Sequence, residues 1–471
     1  MVLLRRSSLA QLPLSLKDTR RMTLRNLRSR MLAGAVAVAM LGALAACSSE
    51  SGSDETPTSA SGDASASTAA PSGSNGSGVE LHMTVWTSDP DSLAMFDSIG
   101  KAFVEQQPAV SAVKFDSLTL DQLDTVITTG IQSGNPPDLS WLPVEKSLEY
   151  IHNDALVDLA PALKETNGYD FEDLVPRLQE RWTVGDALYG VPFSTGALVM
   201  AFNKDLYEKA GIKSPDDLIA EGNWTWDSFR EISKQLHDKL GVTGYVMNDF
   251  DYKNWTRLLP ILFAYGASPW NDDATQCSAD SPEFAKAIQL YHDMVYTDQS
   301  APLPGQKVDF WGGQAGATTA FLGSMNNLKD ATFKYDIVPT PAGPAGDTQA
   351  LGQASIVVLA AGKNKDLATE FLAFLTNKAN AETMAKFYPP TRESLLSAKV
   401  LVGRSTILTE DMVQPIVDAT KETGKIFPVA VDDAKVADAL NRSLDTNIWK
   451  DGVDIPDALT QVCADVQPLL K

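Results

Sequence analysis

Leu81-His82-Met83-Thr84-Val85-Trp86-Thr87-Ser88-Asp89-Pro90 is the stretch on which the fold turns. Leu81, Met83 and Val85 alternate with His82, Thr84 and Trp86, the period of a strand with one buried face, and residues 87–90 supply a turn. An amphipathic run over 93–104 follows, then a second strand pattern over 110–115. Residues 120–133 put Leu123, Val126, Ile127 and Ile131 on one helical face; Gly134 and the pair Pro136-Pro137 stop that helix ahead of a third strand over 138–142. This β-α-β-α-β order predicts a parallel sheet with helices on its faces. Such sheets bind ligands beyond the carboxyl ends of their strands, so the turns at 87–90 and 140–143 are the first places to look.

Downstream, residues 189–192 and 198–202 read as extended, and Trp226, Phe229, Ile232, Leu236 and Leu240 make a helical stripe after an N-cap at Thr225. An apolar strand is expected over 354–360, then a helix carrying Leu367, Phe371, Leu372, Phe374 and Leu375. From Met412 onward the pattern is mainly helical, and no internal repeat is evident.

Upstream, Arg20, Arg21, Arg25, Arg28 and Arg30 precede the apolar run 31–46, which ends Leu44-Ala45-Ala46-Cys47. A basic segment, a short apolar run and small residues before a cut are the parts of a secretory signal, and the run is shorter than the roughly 20 residues a permanent span needs. The cysteine directly after the small pair resembles a bacterial lipobox. That resemblance implies cleavage of 1–46 and lipidation of Cys47, which would hold the protein on the outer face of the cell membrane through acyl chains. The long basic segment also leaves Met22 as an alternative start. Residues 48–78 are almost all Ser, Gly, Ala, Thr, Asp and Pro, a flexible tether with a reach of roughly 30 Å. The folded body is expected to be 79–471.

Without residues 1–46 the chain holds 31 basic and 59 acidic residues, a formal charge of −28. That balance repels phosphate backbones and anionic lipid, so nucleic acid is excluded as a partner and attachment by charge alone is disfavoured. With Cys47 lipidated, Cys277 and Cys463 remain; in an oxidising compartment they form a disulfide that ties the C-terminus back, or stand as two separate buried thiols.

Several segments, in order, resemble the extracellular solute-binding proteins that feed sugar-importing ABC transporters, the maltose-binding-protein-like family. They are Val85-Trp86-Thr87; Ser133-Gly134-Asn135-Pro136-Pro137-Asp138; Leu188-Tyr189-Gly190-Val191-Pro192; Phe202-Asn203-Lys204-Asp205-Leu206-Tyr207 running on to Ile212; Thr225-Trp226-Asp227-Ser228-Phe229; Tyr335-Asp336-Ile337-Val338-Pro339; and 368–375 followed by Pro389-Pro390-Thr391-Arg392. Gly313-Gln314-Ala315-Gly316-Ala317 stands where the family usually has Gly-Lys-Ala-Ala-Met. The resemblance implies an α/β, two-lobed periplasmic-binding-protein-like fold of type II. Lobe 1 would be 79–198 plus 338–378 and lobe 2 199–337 plus 379–471, with crossings near 197–203, 336–339 and 374–384 and hinge closure around a solute. It further implies a monomer that uses no cofactor and delivers a carbohydrate to permease subunits.

Carbohydrates present CH-rich ring faces and many hydroxyls, so a cleft for them needs aromatic platforms beside Asp, Asn, Gln or Arg. Nine tryptophans are available. Trp86, Trp141, Trp255, Trp270 and Trp311 lie in turn-like, polar contexts, whereas Trp182, Trp226 and Trp449 fall in helical patterns that suit a core. The ligand-binding set expected from the resemblance is Trp86, Asp89, Trp141, Trp255, Trp311, Tyr388 and Arg392, with an interlobe ion pair as the competing role for Arg392. A secreted glycoside hydrolase is the rival class. Against it, His82, His152, His237 and His292 are scattered with no His-Glu-x-x-His pattern, no Gly-x-Ser-x-Gly elbow occurs in the body, and adjacent acids such as Asp272-Asp273 are expected in so acidic a chain. A surface scaffold would share the anchor but gives no reason for hinged lobes. Within binding proteins, a glycerol phosphate or a peptide is the alternative solute.

Overall fold

The computed structural model describes residues 78–403 and 405–471. Segment 1–46, Cys47 and the expected tether up to residue 77 lie outside the described residues. β1 (Val79–Val85), α1 (Pro90–Gln106), β2 (Val110–Ser117), α2 (Leu120–Ser133) and β3 (Leu139–Pro143) follow one another as the alternation predicts, with β1 parallel to both β2 and β3. Leu81, Met83 and Val85 are fully buried in one core with Phe96 and Ile99 of α1. Local chemistry sets the boundaries. Asp89 accepts a hydrogen bond from the Ser92 amide and Pro90 fills the first helical position of α1, while Gly134 ends α2 in the left-handed conformation at φ 70°.

After the small hairpin β4 (Thr183–Val184) and β5 (Ala187–Leu188), the two extended pieces expected at 189–192 and 198–202 merge into one 13-residue strand, β6 (Val191–Asn203). β7 (Thr243–Met247), β8 (Ala315–Phe321), β9 (Tyr335–Val338), β10 (Ala350–Val358) and β11 (Lys425–Ile426) complete the strands among the described residues. Up to Ala197, β6 pairs antiparallel with β10; from Leu198 it pairs with β8 and β9. The result is a single sheet ordered β2-β1-β3-β10-β6-β8-β7, of which β6 belongs to two lobes. β10 starts at Ala350, four residues before the expected strand, because 350–353 finds partners in β6 and β11.

Register decides where a ligand can sit. Pro143 pairs with Ala354, so the carboxyl ends of β3 and its parallel neighbour β1 point at the second lobe. Phe321 pairs with Leu198, and β7 runs parallel to β8, so their carboxyl ends point back at the first lobe. Strand ends from both lobes converge on the crossing.

One boundary differs from expectation. The segment after residue 378, expected in the second lobe, lies on the first. The Tyr388 hydroxyl is 2.6 Å from Ser92 Oγ, the Thr195 amide donates to the Pro389 carbonyl, and the Thr391 hydroxyl donates to the Pro192 carbonyl. Burial of Tyr388 beside Phe96 holds the segment there, with ring centroids 6.2 Å apart. Ser394 still bonds Asp173 of the first lobe, so the third crossing falls beyond Ser394, not within 374–384. The helices Asp433–Asn447 and Ile455–Val466 then return to the second lobe, the latter against the helix Pro282–Tyr296. Cys277 and Cys463 are joined by a disulfide with Cα atoms 5.6 Å apart.

Candidate functional site

The first lobe contributes an aromatic wall at the ends of β1 and β3. Trp86, half-buried, meets the edge of Trp141 at 5.2 Å; Trp141 in turn packs on Phe193 at 4.7 Å and on Tyr388 at 5.4 Å. Trp141 is only 1% exposed, so it backs the wall while Trp86 and Tyr388 face outward. Burial pushes the Tyr388 hydroxyl pKa up, against hydrogen bonds to Ser92 and Thr87, so the group stays a neutral donor and acceptor. Asp89 is exposed at the rim and caps α1 through the Ser92 amide at 3.1 Å.

The floor is made by two glycines. Gly196 of β6 pairs with Gly352 of β10, and the ring of Phe321 lies over both: a Cβ at Gly352 would stand 2.8 Å from that ring, and one at Gly196 3.2 Å. Only residues without a side chain admit an aromatic this close to the crossing.

From the second lobe, Arg257 reaches over Phe321, its guanidinium carbon 4.7 Å from the ring centroid, and its Nε donates to the Asn248 carbonyl at 3.1 Å. Its Nη1 and Nη2 make no hydrogen bond to the described residues. The loop beyond β7 that presents Asn248 carries positive φ at three non-glycine residues, Asp249 (55°), Asp251 (38°) and Tyr252 (57°). Backbone held in this way is costly and clusters where a protein presents side chains to a ligand.

Charge is arranged across the gap. Glu145, just past β3 in the first lobe, has its carboxyl pushed up by burial, with its own backbone amide and the Arg257 charge pulling the other way. Burial lowers Arg257, opposed by Asp249 and Glu145. The two groups feel each other without an ion pair, and among the described residues no other residue hydrogen-bonds the Glu145 side chain. Behind them the helix Asp433–Asn447 touches both the turn Val144–Lys146 and the turn Trp255–Leu258. The arrangement presents aromatic faces, a carboxylate and an open guanidinium from facing lobes. It suits capture of a hydroxyl-rich molecule.

The profile of the bacterial extracellular solute-binding protein family matches residues 33–382. The chain belongs to this family. Among curated relatives of this solute-binding protein, the arabinooligosaccharide-binding protein of Bacillus subtilis is 23% identical over 399 residues, 79% of this chain and 88% of the relative. The diacetylchitobiose-binding protein DasA of Streptomyces coelicolor is 24% identical over 388 residues, 78% and 83% of the two chains. The crystal structure of the cyclic alpha-maltosyl-1,6-maltose binding protein from Arthrobacter globiformis superposes with a TM-score of 0.70 at 20% identity, covering 84% of this chain and 99% of that one. The two-lobed type II fold is thereby shared, and the family is one of binding proteins. Among the described residues of the solute-binding protein, no helix is long and apolar enough to cross a membrane.

The structure brings Trp86, Asp89 and Tyr388 together on the first-lobe wall with Trp141 behind them. Trp255 stands on the second lobe, in the same turn as Arg257, but is 3% exposed and packs on Trp270 at 5.4 Å. Trp311 belongs elsewhere: it precedes Ala315, at the opposite end of β8 from Phe321, which at about 3.4 Å per residue removes it by roughly 20 Å. It packs there on Phe310 at 5.3 Å. Arg392 is sealed in the first lobe at 1% exposure, its guanidinium bound to the carbonyls of Tyr169, Asp170 and Thr376 and to Asp173. That is an ion pair within one lobe, neither a ligand contact nor an interlobe bridge. Sequence reasoning missed Glu145, Arg257, Phe321 and the glycine pair. Arg257 lies two residues after the turn tryptophan Trp255, a signal that could have found it, whereas the register that puts Gly196 opposite Gly352 has no local signature.

Proposed function

We propose that this protein is the substrate-binding component of a carbohydrate ABC importer. It captures a sugar or oligosaccharide between its lobes by closure and hands it to the membrane permease, with no chemistry of its own. The observation that carries this reading is the pairing of partly exposed aromatics, Trp86 and Tyr388, on the first lobe with the Arg257 guanidinium, held over Phe321, on the second, and with Glu145 facing that arginine. Ring stacking and hydrogen bonds worth about 1 kcal/mol each would accumulate in a dehydrated cleft. The specificities of the arabinooligosaccharide-binding and diacetylchitobiose-binding relatives support a carbohydrate. The acidic groups at the site, Asp89, Glu145 and Asp249, disfavour a phosphorylated solute. Lipidation of Cys47 would anchor the protein on the outer face of the cell membrane as a monomer beside its permease.

A thermal-shift screen against mono- and oligosaccharides, with glycerol phosphate and peptides alongside, tests the reading. A ligand at 100 times its dissociation constant adds roughly 2.7 kcal/mol, a clear upward shift. A shift with one class of sugar, recovered unaltered, is the expected result. A shift with only the phosphate or peptide overturns the substrate class, and recovery of a cleaved sugar overturns the binding role.

A further inference from the structure

The turn that carries Arg257 is gripped from behind by a closed ring of contacts, one link of which is covalent. Trp255, at the start of that turn, packs edge-on against Trp270. Trp270 forms an antiparallel bridge with Cys277, and the hairpin is completed by the Asn271 amide donating to the Gln276 carbonyl and the Ser278 amide to the Pro269 carbonyl. Cys277 is bonded to Cys463 in the helix Ile455–Val466. That helix packs on the helix Asp433–Asn447, Ser443 Oγ donating to Asp465 at 2.6 Å. The circuit closes where Asn441 of the same helix accepts the Trp255 amide at 2.8 Å. Trp255 is thus held by its ring on one side and its backbone on the other.

The covalent link matters because it ties the far strand of a hairpin whose tip is exposed. Asp272, Asp273, Thr275 and Gln276 are exposed, and Trp270 and Ala274 are its fully buried anchors. Besides the disulfide, the hydrogen bonds between the hairpin and the C-terminal segment among the described residues come from one side chain: Gln467 accepts the Cys277 amide and donates to the Thr275 carbonyl, both at 2.9 Å.

We propose that the Cys277–Cys463 disulfide is a positioning device for the ligand cleft: through Trp270 it holds the turn Trp255–Leu258, and with it Arg257, where the guanidinium meets ligand. The effect on affinity rests on the carbohydrate-binding reading; the hold on the turn does not. Local opening of the turn is read by amide hydrogen exchange, which separates it from global unfolding.

The test compares the purified full chain with its Cys277→Ser/Cys463→Ser variant, following exchange at 255–258 and at β1 in the first lobe, together with calorimetric affinity for the sugar found by the screen. Faster exchange at 255–258 with β1 unchanged, and affinity about fivefold weaker, is the expected result. Unchanged exchange at 255–258, or acceleration equal to that of β1, overturns the proposal, since a purely stabilising disulfide acts on the whole fold. Trp270→Phe with the disulfide intact is the second variant and the deciding one if the serine pair fails to fold; no local change at 255–258 overturns the proposal there too. Faster exchange at the turn in a protein that binds no sugar in either form retires the carbohydrate reading and leaves the disulfide's hold on the turn standing.

Discussion

The Arg257 guanidinium covers the ring of Phe321 while its Nε is tied to the Asn248 carbonyl, so the side chain is fixed at its base and open at its tip. A fixed, open arginine loses little entropy when it hydrogen-bonds a sugar hydroxyl. Arg257→Ala is expected to weaken ligand binding by roughly tenfold or more, the range of a hydrogen bond to a charged group. Calorimetric titration of both proteins checks it.

Trp86 stands on the opposite wall, half-buried and in edge contact with Trp141. Trp86→Ala removes the exposed platform and leaves the Trp141, Phe193 and Tyr388 cluster in place. Affinity should fall by about tenfold, the worth of a buried aromatic contact, with the melting temperature nearly unchanged. Equal affinity in variant and parent would remove the first-lobe wall from the site.

Arg392 makes the reverse prediction. Its guanidinium satisfies three carbonyls, those of Tyr169 and Thr376 buried and that of Asp170 at the surface, and pairs with Asp173 at 3.3 Å. Arg392→Met strands those acceptors and should cost about 3 kcal/mol or more of stability. Affinity of the remaining folded protein should be unaltered, as chemical denaturation and titration in parallel would show.

Asp433 is 6% exposed and accepts a hydrogen bond from the Ala430 amide at 2.9 Å. Burial pushes its carboxyl up to about 7; the Ala430 bond and Lys146 oppose the shift, and the charges of Glu145 and Glu149 add to it. An unfolded aspartate titrates near about 3.9, so between these values the folded chain holds a proton that the unfolded chain has lost. Stability therefore falls as pH rises from about 4 to about 7. Asp433→Asn, which keeps the acceptor and cannot ionise, should be more stable than the parent by roughly 2 kcal/mol at about pH 8 and nearly equal at about pH 4. Denaturant melts at the two pH values check the sign.

Gly352 lies under the Phe321 ring, where a Cβ would stand 2.8 Å away. Gly352→Ala must displace the ring, and Arg257 with it. A stability cost of about 1–2 kcal/mol, as for other overpacked sites, should accompany a measurable loss of affinity. Retained affinity would show that Phe321 does not position the arginine.

Much of this molecule is written locally. The alternation at 81–86, the cap at Asp89 and the stop at Gly134 each depend on neighbours within a few residues, and β1, α1 and α2 follow from them. The stripe after Thr225 yields the helix Trp226–Leu240, whose N-cap is that threonine. What was not legible depends on pairing at a distance. Trp311 and Trp86 look alike as turn tryptophans, and only the direction of β8 relative to β6 separates them. Arg392 follows two prolines as a ligand residue would; its burial is set by carbonyls some 220 residues earlier in the chain. Arg257 and Glu145 gain their meaning from each other, across two lobes.

β10 has a consequence for how the chain reaches this state. It fills the gap between β3 and β6, yet its residues, Ala350–Val358, come long after both of those neighbours have been made. Until then the first half of the protein is a sheet with its middle missing, showing open edges on β3 and β6. Pairings between such distant segments form slowly, and unpaired edges invite association with other chains. The nascent protein thus depends on being kept apart from its copies until its last third is made, and the first lobe cannot serve as an independent early folding unit.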